Sequence, residues 1–213
     1  MLKLKRFVFN PFYENTYLIW DIPSKSAAII DPGCYDDKER RTVDDFIEDN
    51  KLTLSYIINT HCHIDHIFGN AYFKKMYSSK LMLPADDEFL LEEMIIAAQE
   101  YQVHYEPSPK PDYLIKEGDS LLLGETEVKF ISTPGHSPGE VCLYFQKEKI
   151  CFTGDVLFKE GIGRSDLWGG DLPTLINSIN NKIFSLPDDV TIYPGHESSS
   201  TIGYERKYNP FLQ

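Results

Sequence analysis

The segment Thr60-His61-Cys62-His63-Ile64-Asp65-His66, which follows the apolar run Tyr56-Ile57-Ile58 after a single asparagine, constrains this chain more than any other feature. Four histidine and aspartate residues of ligand type fall within the six positions from His61 to His66, too dense a cluster for an ordinary surface loop. In extended backbone, side chains two apart share a side, so His61 and His63 can grip one ion. On a helix the same pair would stand about 200° apart around the axis. The segment must therefore leave the end of a strand extended and then turn, so that Asp65 and His66 aim at a second ion. Imidazole nitrogen with carboxylate oxygen suits zinc, and iron or manganese also remain open.

Further strand-like runs occur at Tyr17 to Trp20, Ala27 to Ile30, Glu127 to Ile131, Val141 to Phe145, Lys149 to Phe152 and Val190 to Tyr193. Helix-period segments lie between them. Val43, Phe46 and Ile47 share one face, as do Leu172, Leu175, Ile176, Ile179 and Ile183, the second group starting at Asp171 and Pro173. This mixed order predicts sheets covered by helices. Asp86 to Tyr101 also has helical spacing and is followed by the proline-rich stretch Pro107 to Pro111, which reads as an inserted helix and loop around 86–111. No repeat, linker or composition shift divides the chain, so one domain over residues 1–213 is expected.

Three residues sit beyond strand-like runs, each beside a glycine: Gly135-His136, Gly154-Asp155 and Gly195-His196. Singly, each reads as a turn residue. Beside the histidine cluster they read as the rest of a ligand set, because rigid scaffolds present chemistry on strand-end loops.

The net charge of -12 argues against nucleic acid as a partner, since phosphate binding relies on clustered cations. The N-terminal stretch lacks an apolar region of signal-peptide length, and no run is long enough to span a membrane. Cys34, Cys62, Cys142 and Cys151 form no CxxC pair and read as free thiols in a reducing compartment, so the expected location is the cytoplasm. Nothing in the sequence indicates an oligomeric state.

Asp31-Pro32-Gly33, the Thr60 to His66 loop, Thr133-Pro134-Gly135-His136-Ser137-Pro138-Gly139, Thr153-Gly154-Asp155, Gly163-Arg164-Ser165-Asp166 and Tyr193-Pro194-Gly195-His196 occur in this order. On these motifs the chain resembles the metallo-β-lactamase-fold hydrolases, particularly the short glyoxalase II-like (hydroxyacylglutathione hydrolase-like) branch. The resemblance implies an αββα sandwich, two mixed β-sheets flanked by helices, with metals along one sheet edge. By the same likeness His61, His63 and His136 would bind a first ion, Asp65, His66 and His196 a second, and Asp155 would bridge them. Two divalent ions, zinc foremost, would activate a hydroxide between them, with Asp65 as ligand and orienting group. The implied activity is hydrolysis of a small-molecule acyl thioester.

Asp31 would orient a metal-bound histidine by this likeness, although Asp-Pro-Gly also reads as a plain turn. Arg164 and Asp166 read either as shaping the site or as a mutual ion pair. His104 has no place in the ligand set, and Cys62 points away from it as a packed thiol. Two other activities stay open. Persulfide dioxygenases resemble the pattern, including Gly-Arg-x-Asp, and would use one iron on His61, His136 and Asp155, whereas lactone or β-lactam hydrolysis would need only another pocket. Longer glyoxalase II proteins carry a C-terminal helical region supplying cations for glutathione. Weak glutathione binding is therefore expected here, with Arg206 and Lys207 as partial substitutes and Phe89, Met94 and Tyr101 as an apolar pocket wall.

Overall fold

The computed structural model describes residues 1–213. Its first sheet contains β1 (Leu2–Phe9), β2 (Glu14–Asp21), β3 (Ser26–Ile30), β4 (Thr53–Ile58), β5 (Lys80–Pro84) and β6 (Tyr113–Ile115), in that spatial order. The short links between β1, β2 and β3 allow antiparallel hairpins. From β3 to β6 the pairing is parallel, and each crossover carries helix: α1 (Asp37–Asp49), then α2 (Ile64–Ile67) with α3 (Asn70–Tyr77), then α4 (Leu90–Glu100).

The second sheet is built from β7 (Ser120–Leu123), β8 (Thr126–Ser132), β9 (Val141–Phe145) and β10 (Ile150–Gly154). After a small ribbon of β11 (Leu157–Phe158) and β12 (Gly161–Ile162), helix α5 (Leu172–Asn181) crosses to β13 (Thr191–Pro194), which is parallel to β10. β14 (Ser200–Thr201) and α6 (Ile202–Tyr208) follow, and the spatial order is β14-β13-β10-β9-β8-β7.

Period-two alternation assigns each strand two jobs. In β2, Tyr17 and Ile19 join Ile30, Ile58, Phe130, Leu143, Phe145 and Phe152 in a core between the sheets. The alternate residues Leu18 and Trp20 pack outward with Val43 and Ile47 of α1. Across the molecule, Leu175 and Ile179 of α5 cover Cys142, Tyr144, Cys151 and Ile192. Helix, sheet, sheet and helix therefore form four layers, the αββα sandwich expected. Burying each such side chain contributes about 1.5–3 kcal/mol. Asp171 caps α5 by accepting the Thr174 N–H, with a proline in the first turn as the sequence suggested.

Several elements were not legible beforehand. β1 hides its pattern under Lys3, Lys5 and Arg6, because its outer half is exposed and only Phe7 and Phe9 are buried. β5 and β6 are short parallel strands, of five and three residues, too brief to show a clear alternation of their own. The segment read as one helix from Asp86 to Tyr101 opens with a 3-10 turn, Ala85–Asp87, before α4 begins. No helix is long and apolar enough to cross a membrane.

Candidate metal centre

β8, β10 and β13 all run in one direction, so their ends deliver His136, Asp155 and His196 to one edge of the second sheet. β4 brings the histidine loop to the same edge from the first sheet, where the Val141 N–H donates to the Thr60 carbonyl (2.9 Å). His61 lies in a bend just after β4, and His63, in extended backbone, is the N-cap of the single turn α2 that carries Asp65 and His66. The predicted turn under Asp65 and His66 is present, but the chain already bends at Thr60 and His61 instead of staying extended up to it. Two glycines are obligatory here. Gly135 has φ +138° with the α5 backbone against its α-carbon, and a Cβ on Gly195 would collide with Asp155 Oδ1 and the His66 ring.

The side chains converge as two groups, with Asp31, His61 and His66 forming a third close set that joins them. Ligand atoms of His61, His63 and His136 lie within 4.8 Å of one another, and so do those of Asp65, His66 and His196. Asp155 faces both: its Oδ2 is 3.6 Å from His136 Nε2 and 3.6 Å from His196 Nε2, and its Oδ1 is 3.6 Å from His66 Nε2. The tautomers suit cation binding. His136 Nδ1 donates to the Arg164 carbonyl (2.6 Å), which leaves the lone pair on Nε2, the atom 2.8 Å from His63 Nδ1. Two ring nitrogens that close require a shared proton or a cation gripping both. His61 Nε2, His66 Nε2 and Asp155 Oδ1 are buried without any hydrogen-bond partner, as expected of atoms reserved for metal.

Charge follows the same division. Burial is the main reason that His61, His63 and His136 are held below the usual imidazole range, and neighbouring imidazoles depress His61 and His63 further. Burial also opposes a proton on His66 and His196, but Asp65 and Asp155 outweigh it and raise both, with Asp31 adding to the rise of His66. For Asp65, burial is overcome by His66 and His196, which hold the carboxyl well below the usual carboxylate range.

Asp31 does more than turn the chain. Its Oδ1 accepts the Thr60 N–H (2.7 Å) and its Oδ2 accepts the Thr60 hydroxyl (2.7 Å), while Oδ2 lies 3.2 Å from His66 Nδ1. The Thr60 oxygen in turn sits 3.0 Å from His61 Nδ1, so this carboxylate reaches a histidine in each group. Arg164 forks onto Asp166 at 2.7 and 2.8 Å, the ion pair that was one of the two readings. Cys62 is buried among Ile64, Ile67 and Met94. His104 lies apart from the centre, where its N–H donates to the Tyr35 hydroxyl.

Among the buried carboxylates that the sequence reading passed over, two hydrogen-bond to the backbone of the ligand loops. Glu140 accepts the Asp155 N–H (2.7 Å) and lies 3.6 Å from His61 Nδ1. Its position just after Gly139 in the His136 motif was the available clue. Asp87 accepts three hydrogen bonds in the same region, and burial pushes its carboxyl up to about 6 despite them. No sequence pattern marked it.

A cavity of about 420 Å³ opens on the centre, walled by Phe12, Ile64, Tyr101, Phe158, Leu167 and Trp168, with Arg164 as its only lysine or arginine. Of the three wall residues expected from the insert, only Tyr101 lines this cavity. Met94 is buried in a core cluster and Phe89 is exposed on the surface, because their helix phase points them elsewhere. Arg206 does not line it either. Its guanidinium pairs with Asp188 and donates to the Phe184 and Leu186 carbonyls, while Lys207 lies over the Tyr208 ring.

A fold with this four-layer order and a histidine-aspartate centre at one sheet edge defines a known class of metal-dependent hydrolase. The chain belongs to the metallo-β-lactamase superfamily, whose family model matches residues 9–196. It is 38% identical to the hydroxyacylglutathione hydrolase GloC of Haemophilus influenzae over 94% of this chain and 93% of that one. It is also 34% identical to the human mitochondrial persulfide dioxygenase ETHE1, over 92% of this chain and 70% of the relative. Among solved structures, the BLEG-1 B3 metallo-β-lactamase superposes with a TM-score of 0.90 at 35% identity, covering 99% of each chain. TTHA1623 in a di-iron-bound form superposes with a TM-score of 0.86 at 31% identity, covering 98% of this chain and 100% of that one.

Proposed function

We propose that the chain is a binuclear zinc thioesterase acting on small acyl thioesters whose thiol part carries little charge. The observation that carries this reading is the pairing of two three-residue ligand groups, with Asp155 between them, at the floor of an aromatic-walled cavity. His61, His63 and His136 would hold one ion, Asp65, His66 and His196 the other, and Asp155 would touch both. Bound there, the ions supply Lewis acidity toward water and a substrate carbonyl.

The chain's own groups do the rest. Asp65, kept ionised by His66 and His196, orients the attacking water through a hydrogen bond and faces the cavity. Tyr101 and Phe12, edge to face at 5.8 Å, with Trp168 opposite His63 (5.7 Å between ring centres), exclude bulk water from the carbonyl. Away from the ions, a glutathione carboxylate entering this space meets Arg164 as the one lysine or arginine side chain, and Asp166 already pairs with it. Similarity to GloC supports thioester chemistry, and the cavity wall supports an uncharged thiol in place of glutathione.

The test is a comparison of specificity constants for S-lactoylglutathione and an uncharged thioester with the same acyl group, using zinc-loaded protein. A preference of a hundredfold or more for the glutathione ester would refute weak glutathione recognition. One further reading has specific support: Gly163-Arg164-Ser165-Asp166 and the similarity to ETHE1 favour persulfide oxidation with a single iron on His61, His136 and Asp155. Elemental analysis with oxygen uptake on glutathione persulfide separates them. Two zinc ions without uptake support the thioesterase, and one iron with rapid uptake overturns it.

A further inference from the structure

His61 and His63 stand on the loop after β4, whereas His136 stands on the loop after β8, 73 residues beyond His63. Three imidazoles can close on one ion only if these two backbones are held in register. Asp87, in the 3-10 turn after β5, is fully buried between them. Its Oδ2 accepts the Cys62 N–H (3.1 Å), the peptide between the two histidines of the first loop. The same oxygen accepts the Ser137 hydroxyl (2.7 Å), next to His136, and Oδ1 accepts the Gly139 N–H (2.6 Å) farther along that loop. Gly139 permits this approach, since a Cβ there would lie 2.8 Å from Asp87 Oδ1.

We propose that Asp87 is a positioning residue that locks the His61–His63 loop to the His136 loop and so builds one of the two metal-binding groups without touching metal or substrate. Its bonds are selective. The other group is held by different devices: Asp31 beside His66 Nδ1, the Asn59 side chain donating to the His66 carbonyl (3.0 Å), and the Gly195 N–H donating to the Gly154 carbonyl (2.7 Å). Asparagine at position 87 matches the carboxylate in shape but offers only one accepting group. If its oxygen keeps Gly139, its amide nitrogen opposes the Cys62 N–H, and the tie to the first loop is lost. The inference rests on the two-ion assignment above for its expected selectivity.

The experiment is a titration of metal-free wild type and Asp87→Asn with zinc sulfate alone, followed by NMR of the individual imidazole rings. Supporting structures around metal ligands typically govern about 10- to 100-fold of metal affinity. The variant should therefore require about tenfold more zinc or beyond to shift His61, His63 and His136, with His66 and His196 responding as in wild type. Val43→Ala, a core truncation on α1 away from both loops, should lower the melting temperature without producing that split. Equal weakening of both groups, no weakening, or the same split in Val43→Ala would overturn the proposal. If Asp87→Asn does not fold, Ser137→Ala removes one bond to the same carboxylate, and it should give a smaller shift confined to the same three rings. Absence of that shift would equally overturn it. Should wild type load only one ion, the two-ion reading fails, while any difference between variants at His61, His63 and His136 still judges Asp87.

Discussion

Replacing Asp31 with asparagine should weaken zinc at the Asp65, His66 and His196 group by one to two orders of magnitude. In the native structure one oxygen of Asp31 accepts the Thr60 N–H, and the other serves the Thr60 hydroxyl and faces His66 Nδ1 at 3.2 Å. Asparagine keeps the shape but turns one oxygen into a donor. If its oxygen stays with Thr60, its amide faces His66 Nδ1, and the ring pairs only by moving its proton to Nε2. That nitrogen looks toward Asp65 and Asp155, both at 3.6 Å, and is the one the ion needs. Asp31 Oδ2 meets His66 Nδ1 as a close ionic contact and not as an aligned hydrogen bond. Supporting groups around metal ligands typically govern about 10- to 100-fold of metal affinity, which sets the expected loss. His61 should be affected less, because its Nδ1 is held by the Thr60 oxygen at 3.0 Å and feels Asp31 only through it. Competition with a chelating dye gives the affinity, and imidazole NMR assigns it to a group. Unchanged affinity at His66, or a loss confined to His61, His63 and His136, would refute the tautomer argument.

Asp155→Asn should lower turnover by several orders of magnitude in a folded protein. Circular dichroism, metal counting and kinetics check this, and near-normal turnover with full metal would remove Asp155 from the centre. Loading should also depend on pH unequally. His66 and His196 are raised above the ordinary imidazole value, so metal must compete with their protons, whereas His61, His63 and His136 are depressed and hold protons less readily. Lowering the pH from about 8 to about 6 should therefore weaken the Asp65, His66 and His196 group first, as judged by calorimetry in buffers of different ionisation heat. By the same sign, the metal-free fold gains stability from protonated His66 below about pH 6.5 and loses it as pH rises through the raised value. His104→Ala should leave metal content unchanged, and loss of one metal equivalent would show that the ligand set is wrong.

How much of this was legible in the residues differs by the range of the interaction. The histidine loop could be read because its geometry is local: a strand exit and a following turn are enough to divide His61 and His63 from Asp65 and His66, and the fold contains both. The strand-end glycines beside His136, Asp155 and His196 were readable for the same reason, since each marks a tight turn where backbone approaches backbone. Family likeness joined these pieces into an αββα sandwich. β1 and β6 were missed because the outer half of the first is exposed and the second is too brief to show a clear alternation of its own. Arg206 and Phe89 were misread because proximity in sequence to the C-terminus or to an insert says nothing about which cavity a side chain faces.

The sequence by itself determined the kinds of chemistry available: imidazole and carboxylate donors, their spacing on each loop, and a net charge of -12. Only the tertiary structure decided which donors meet. It paired His63 with His136 at 2.8 Å, set Asp155 between two groups, and gave His61 and His66 opposite protonation preferences within one cluster. It also gave Asp87 its place, buried against two loops far from it in sequence. The physical reason is that hydrogen bonds and charges act over a few ångströms of space, and residues far apart along the chain come within that range only after both sheets have packed.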